Sequence, residues 1–356
     1  MRTSTTRMPR QWKLLSSLNA STEVLAVLTV GAALTGLILD AVLSPRLKAY
    51  TGMPSSETTN TYLLAGMTAF EQLVEFTLYL VPAFVLGRLR YRSPAHAYRL
   101  TLNGVPFFRL VFIGVLLYCV ASLPTAATHL AHHYVNFGEG ARHWHYTQEL
   151  PRNFGYLLFN LAANLVLPPL FEETFFRGYV LTRWSSVFGP AAAILLCSLF
   201  FCLVHTQYLI ADSYANAILL TTFFQTVSYG YVAYRTGSLL PPIVAHSLAN
   251  SPFNAPFEGY LHLNQASIVV MLVVVFVYRR AVVDYARSFL GLFRSEDFSV
   301  RQLVLGSLVI AAALLPETLG GTSAGRVATG VCLGVALTTA IVLRRQRQRA
   351  GAPLSD

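Results

Sequence analysis

The sequence predicts an all-α, polytopic membrane protein of about ten transmembrane helices, and three observations carry that fold class. Of 356 residues, 54% are hydrophobic and only 12% are charged. A soluble domain carries roughly 25% charged residues, so this supply is too small to clothe a globule of this size in polar surface. The apolar residues gather into runs of roughly 20, the helical length that crosses a hydrocarbon core of about 30 Å. Those runs are continuous and lack the alternation that a barrel strand requires.

The elements follow in chain order. Arg2, Arg7, Arg10 and Lys13 make residues 1–21 a basic tail. The run at 22–43 is too long for the apolar core of a secretion signal and has no small-x-small cleavage site, so it is read as a retained first helix. Further spans are expected at 62–87, 107–128, 155–176, 188–210, 216–234, 239–257, 267–283, 302–316 and 325–343. The seventh is bracketed by Pro241, Pro242, Pro252 and Pro256 and is expected to be a broken helix, the kind that lines a cavity. An amphipathic basic stretch follows residue 281. The chain therefore divides into a membrane core at 22–284, a C-terminal helical pair at 285–343 and a basic tail at 344–356.

Orientation follows from the basic residues of the short loops. With both termini in the cytoplasm, 21 of the 26 Lys and Arg residues fall on the inner side. The same reading explains the net charge of +10 as topology. It excludes a nucleic-acid partner, because the arginines sit in clusters between apolar runs and form no continuous basic face. The expected location is the cell membrane.

Ionisable side chains inside a membrane cost roughly 2.5–3.5 kcal/mol each on insertion scales, so each needs a reason. Glu172 and Glu173 stand in LPPLFEETFFRGYVLTRW, at the end of the fourth span. Glu173 and Arg177 are four apart and can pair on one helical face, while Glu172, about 100° round the helix, stays free to take a proton. Taken alone, such a cluster also serves as a structural helix end. Two more features accompany it: Phe201 and His205, four apart in the fifth span, and His246 and Asn250, four apart in the seventh after the proline pair.

These three motifs, Glu172-Glu173-x-x-x-Arg177, Phe201-x-x-x-His205 and His246-x-x-x-Asn250, resemble those of the CPBP (Abi) family of intramembrane proteases, which includes the type II CAAX prenyl endopeptidases. The resemblance covers roughly residues 154–257, under a third of the chain. It implies hydrolysis of a membrane-associated protein or peptide by a glutamate-dependent, metal-free mechanism. Amide hydrolysis needs an activated water, a base and donors for the developing oxyanion. On this reading Glu172 is the base, His205 helps to polarise the water, and His246 and Asn250 donate to the oxyanion. Glu173, Arg177 and Phe201 support them.

Two alternatives use the same residues. Glu172, His205 and His246 are a plausible zinc set, although no His-Glu-x-x-His occurs and the two histidines are far apart in sequence. As alternatives to the protease reading, the polar groups line a transport path or belong to a non-proteolytic immunity or scaffold protein. Against transport, no inverted repeat is visible. Depth adds a condition: Glu172 and His205 meet only if the motif helix continues through Trp184, or if the fifth span starts later or tilts.

The remaining polar residues read more plainly. His129, His132, His133, His143 and His145 crowd an expected outer loop at 128–151 and fit an aromatic-rich interfacial segment, with metal binding or pH sensing as the other reading. Glu71 and Glu75, four apart in the second span, face a cavity or pair with an arginine. Cys119, Cys197, Cys202 and Cys332 lie in apolar runs and act as small hydrophobes. Arg344, Arg345, Arg347 and Arg349 make a lipid anchor.

Overall fold

Apolar helices joined by polar punctuation are what the computed structural model contains. It describes residues 58–135, 137–138, 165–205, 212–251 and 261–294, with isolated positions between 19 and 34 and at 304 and 307. The described residues are helical and include no strand. The expected span at 325–343, nearly all of 302–316, most of 22–43, and residues 344–356 lie outside them, as do His143 and His145.

Helix α1, Thr58–Arg90, runs through Pro82 and ends on Arg88 and Arg90. The side chains of Glu71 and Glu75, which it carries, are outside the described set. A loop holding the short helix α2, Pro94–Ala97, leads to α3, Phe107–Ala121. After Ser122 the chain bends by 41° into α4, Leu123–Val135. Helix α5 covers 165–188: an α-helical start, a wide π-turn at Thr174–Val180, and an α-helical end at Leu181–Phe188. Gly189, at a φ of 80°, and Pro190 at the first helical position start α6, Pro190–Val204. Proline fits there because that amide has no intrahelical partner to lose.

Helix α7, Ser213–Thr236, begins on Asp212, whose carboxylate accepts from the Ala215 amide at 2.8 Å. It ends at Gly237, whose left-handed φ of 65° suits a residue without a Cβ. Helix α8, Leu240–Ala249, carries the proline pair in its first turn. Helix α9, Leu261–Val277, and α10, Arg279–Phe293, meet at an 80° bend.

Several boundaries differ from the expectation. The motif helix does continue through Trp184, as the depth condition allowed, and α6 starts at Pro190. Helix α8 has ten residues, about 15 Å at helical rise, so on its own it reaches only about half-way through a bilayer core. The eighth span breaks at Tyr278, short of residue 283. His129 and His132 belong to α4 and are buried, where a loop was expected. The His132 ring stacks on Tyr214 at 3.9 Å between centroids and its Nδ1 lies 3.0 Å from the Phe137 carbonyl, so aromatic packing accounts for their burial.

No single helix among the described residues is long and apolar enough to cross a membrane by itself, and the bent pairs α3–α4 and α9–α10 pass that test together. Exposure follows an outward-apolar pattern. Val269, Val270, Val273, Phe276 and Val277 of α9 are all more than half exposed, and α3 presents Phe107, Phe108 and Phe112. Contiguous apolar faces of this kind fit a lipid surrounding.

Inside, α8 packs closely on α3. Gly114 permits this approach: a Cβ there would stand 2.7 Å from the Val244 Cβ and 2.8 Å from the Pro241 carbonyl oxygen. Helix α5 lies against α1, α6 and α7, with Phe175, Phe176, Tyr179 and Trp184 filling the core. These contacts bring the start of α5, the end of α6 and the middle of α8 to one place.

Candidate active site

The π-turn shapes the site first. In such a turn each amide bonds five residues back, the helix widens, and carbonyls are left less well satisfied. Neighbouring elements supply donors. The Arg99 guanidinium, from the loop after α2, donates to the Arg177 carbonyl at 3.0 Å. The Cys197 thiol of α6 donates to the Phe176 carbonyl at 3.2 Å. Arg99 also ties α8, because its own carbonyl accepts from the Leu239 amide at 2.9 Å, one residue before that helix. It holds this position at a φ of 60°, unusual for a residue with a side chain.

Glu173 and Arg177 are both fully buried and form the expected pair, Nη1 to Oε1 at 3.1 Å. The guanidinium also stands 4.5 Å over the Phe201 ring, a cation–π contact that explains how an arginine is accommodated away from water. Its Nη2 reaches the Thr226 carbonyl at 3.5 Å.

The sequence offered no hint of the next contact. The Nδ1 of His246 lies 2.8 Å from the same Glu173 Oε1. A carboxylate only accepts, so Nδ1 carries the proton and the imidazole is oriented with Nε2 pointing away from Glu173. Nε2 is 3.9 Å from Oε2 of Glu172. That is too long for a direct hydrogen bond and suits two groups that share a small polar molecule. Glu172 keeps 18% side-chain exposure, and its Oε2 has no partner among the described residues.

His205 stands at the C-terminal cap of α6. Its ring lies on Phe201 at 4.4 Å between centroids and its Nδ1 is 2.7 Å from the Phe201 carbonyl. Phe201 in turn meets the His246 ring edge-on at 6.2 Å. Asn250 caps α8, its amide donating to the His246 carbonyl at 2.9 Å. Glu172, Glu173, Arg177, Phe201 and His246 thus form one cluster, with His205 joined to it through Phe201 and Asn250 through the backbone of α8. Among the described residues no group of three or more His, Cys, Asp or Glu side chains is arranged to hold a metal ion.

Sequence reasoning missed a polar chain behind His246. Gln225 donates to the Ser122 hydroxyl at 2.7 Å and to the Tyr229 hydroxyl at 2.8 Å, and the Tyr229 ring lies 6.2 Å from that of His246. The signal was present, since Gln225 and Tyr229 are four apart and so share one face of the helix. Arg99 left no such signal.

Every residue of the cluster falls within one stretch that matches known proteins. Residues 154–252 match the family described as Type II CAAX prenyl endopeptidase Rce1-like. Over those residues the chain is similar to that family. A stretch of 114 residues is 32% identical to the human CAAX prenyl protease 2, covering 28% of this chain and 35% of that protein. The chain thus matches about a third of the length of this curated relative. No solved structure matches. The Rce1-like region holds all three motifs and the whole of α5, α6, α7 and α8, and so supports the resemblance to CPBP-type proteases drawn from those motifs.

Proposed function

We propose that this chain is a membrane-embedded endopeptidase that hydrolyses its substrate with water activated by Glu172. One observation carries the reading: the His246 imidazole is held by Glu173 through Nδ1 while Nε2 faces the unpartnered Oε2 of Glu172 across 3.9 Å. A water between these two groups gives up its proton to Glu172 as its oxygen adds to the substrate carbonyl, and Glu172 returns that proton to the departing amine. Asn250 steadies the oxyanion, as does His246 once its Nε2 also carries a proton, and His205 orients the water. Glu173 acts through His246, much as a buried carboxylate orients the histidine of a hydrolytic triad. Arg177 holds Glu173, and Phe201 packs against the Arg177 guanidinium and the His205 and His246 rings.

The substrate in this proposal is a membrane-associated protein or peptide with a lipidated or hydrophobic C-terminal tail, for which the name of the human relative is the guide. No metal enters the steps above. The proposed topology has about ten spans in the cell membrane and both termini in the cytoplasm, supported by the distribution of arginines.

The test is direct. Purified protein in lipid should cleave a farnesylated CAAX-ended peptide, and the same preparation after chelator treatment should retain its rate. Glu172→Gln should abolish cleavage while leaving the thermal unfolding curve in place. Full activity in that variant would remove Glu172 from the chemistry; loss of activity together with a stoichiometric zinc would turn the reading to metal catalysis.

A further inference from the structure

Helix α10 turns through 80° from α9 at Tyr278, which is 39% exposed and of a residue type enriched at membrane interfaces. At about 100° per residue its fifteen residues present one packed face and, away from it, two adjoining exposed strips. The first packs on α7: the rings of Tyr285 and Phe289 lie 5.1 and 5.2 Å from that of Tyr231, whose hydroxyl donates to Ser288 at 2.6 Å. The second is apolar and open, with Val283 and Leu290, seven apart, at 44% and 53% exposure. The third carries Arg280, Arg287 and Arg294, again seven apart and therefore in line, all exposed.

Three charges on this helix already have a contact. Asp284, on the third face, is 3.6 Å from Arg287, and both stay more than 70% exposed. Arg279 folds back on α9, donating to the Phe276 carbonyl at 3.2 Å and lying 4.9 Å over its ring. The row still carries three arginines against one aspartate.

A helix in water gains nothing from an open apolar strip beside its arginines, and a helix crossing lipid would not carry four of them. Protein on one side, acyl chains on the second and headgroups on the third is the surrounding that satisfies all three faces. The preceding helix fixes the level, since the exposed apolar surface of α9 ends at Val277, immediately before the bend. We propose that α10 lies in the plane of the membrane interface and docks the row Arg280, Arg287 and Arg294 on anionic phospholipid headgroups. Positive charge of this kind is drawn to the negatively charged cytoplasmic leaflet. This docking does not depend on proteolysis.

The full chain is placed in nanodiscs of phosphatidylcholine alone or mixed with phosphatidylglycerol, and amide hydrogen exchange is followed across residues 279–294. Phosphatidylglycerol should slow exchange there by about tenfold or more. Arg280→Gln, Arg287→Gln and Arg294→Gln together should remove that slowing, and the three matching Lys substitutions should keep it. Exchange in α3 and α8 reports folding of each variant in the same experiment. Equal exchange in the two lipid mixtures overturns the proposal, as does undiminished slowing in the Gln variant. Protection that follows the number of chains per disc and ignores lipid charge also overturns it, in favour of a contact between copies.

Discussion

Two carboxylates are fully buried against opposite halves of α5, Glu173 within its first half and Glu23 reaching its second half from an earlier segment, and the contrast between them separates structure from chemistry. Glu23 has both oxygens occupied. Oε1 accepts from Arg90 at 2.6 Å and from the Tyr179 hydroxyl at 3.1 Å, and Oε2 accepts from Arg183 at 3.1 Å. Glu173 also meets an arginine, but both its contacts fall on Oε1, and its Oε2, Oε2 of neighbouring Glu172 and Nε of Arg177 are left without partners among the described residues. A buried polar atom without a partner costs roughly 1–3 kcal/mol, so a fold keeps one where something else is to bind. The Glu23 cluster fastens the end of α5; the Glu172–Glu173 cluster is built with capacity to spare.

Substitutions at the two clusters should therefore fail in different ways. Glu172→Gln should lower turnover of the farnesylated peptide by roughly 10²–10⁴ with little change in unfolding, which steady-state rates and a melting curve on one preparation will show. Glu23→Gln should do the opposite, destabilising the protein by about 3–5 kcal/mol because Arg90 and Arg183 are left buried and unpaired. Denaturation in mild detergent measures that loss, and a large fall in kcat at unchanged stability would erase the distinction drawn here. Arg99→Ala should cost about 1–3 kcal/mol by stripping the Arg177 carbonyl of its donor. Its effect should appear as a lower kcat at near-constant KM, with partial rescue in Arg99→Lys. Cys197→Ala should be the mildest, at under about 1 kcal/mol, since a thiol is a weak donor; a shift in Tm of a few degrees at most is expected.

Local features of this arrangement were legible in the sequence. The pairing of Glu173 with Arg177 followed from helical spacing, and so did the shared face of Phe201 and His205. The contact of His246 with Glu173 was not, because 73 residues separate them and the approach depends on α8 settling over Gly114 of α3. The Glu23 cluster was also hidden. Glu23 reads as the polar edge of an apolar run, and its partners Arg90, Tyr179 and Arg183 come from two other helices. The histidines of α4 show the converse error: His129, His132 and His133 look like loop residues by composition, yet the helix continues past them and Tyr214 covers two of them.

The wide turn at Thr174–Val180 stands between the two carboxylate clusters, and its consequence is one of phase. A turn that closes five residues back holds one residue more than a regular turn, which offsets everything beyond it by about 100°. Glu172 and Glu173 precede the turn, while Tyr179 and Arg183 lie at its end and beyond it. A single straight helix would aim the two groups along different relative bearings, so one extra residue sets the angle at which a rigid anchor presents a reactive end.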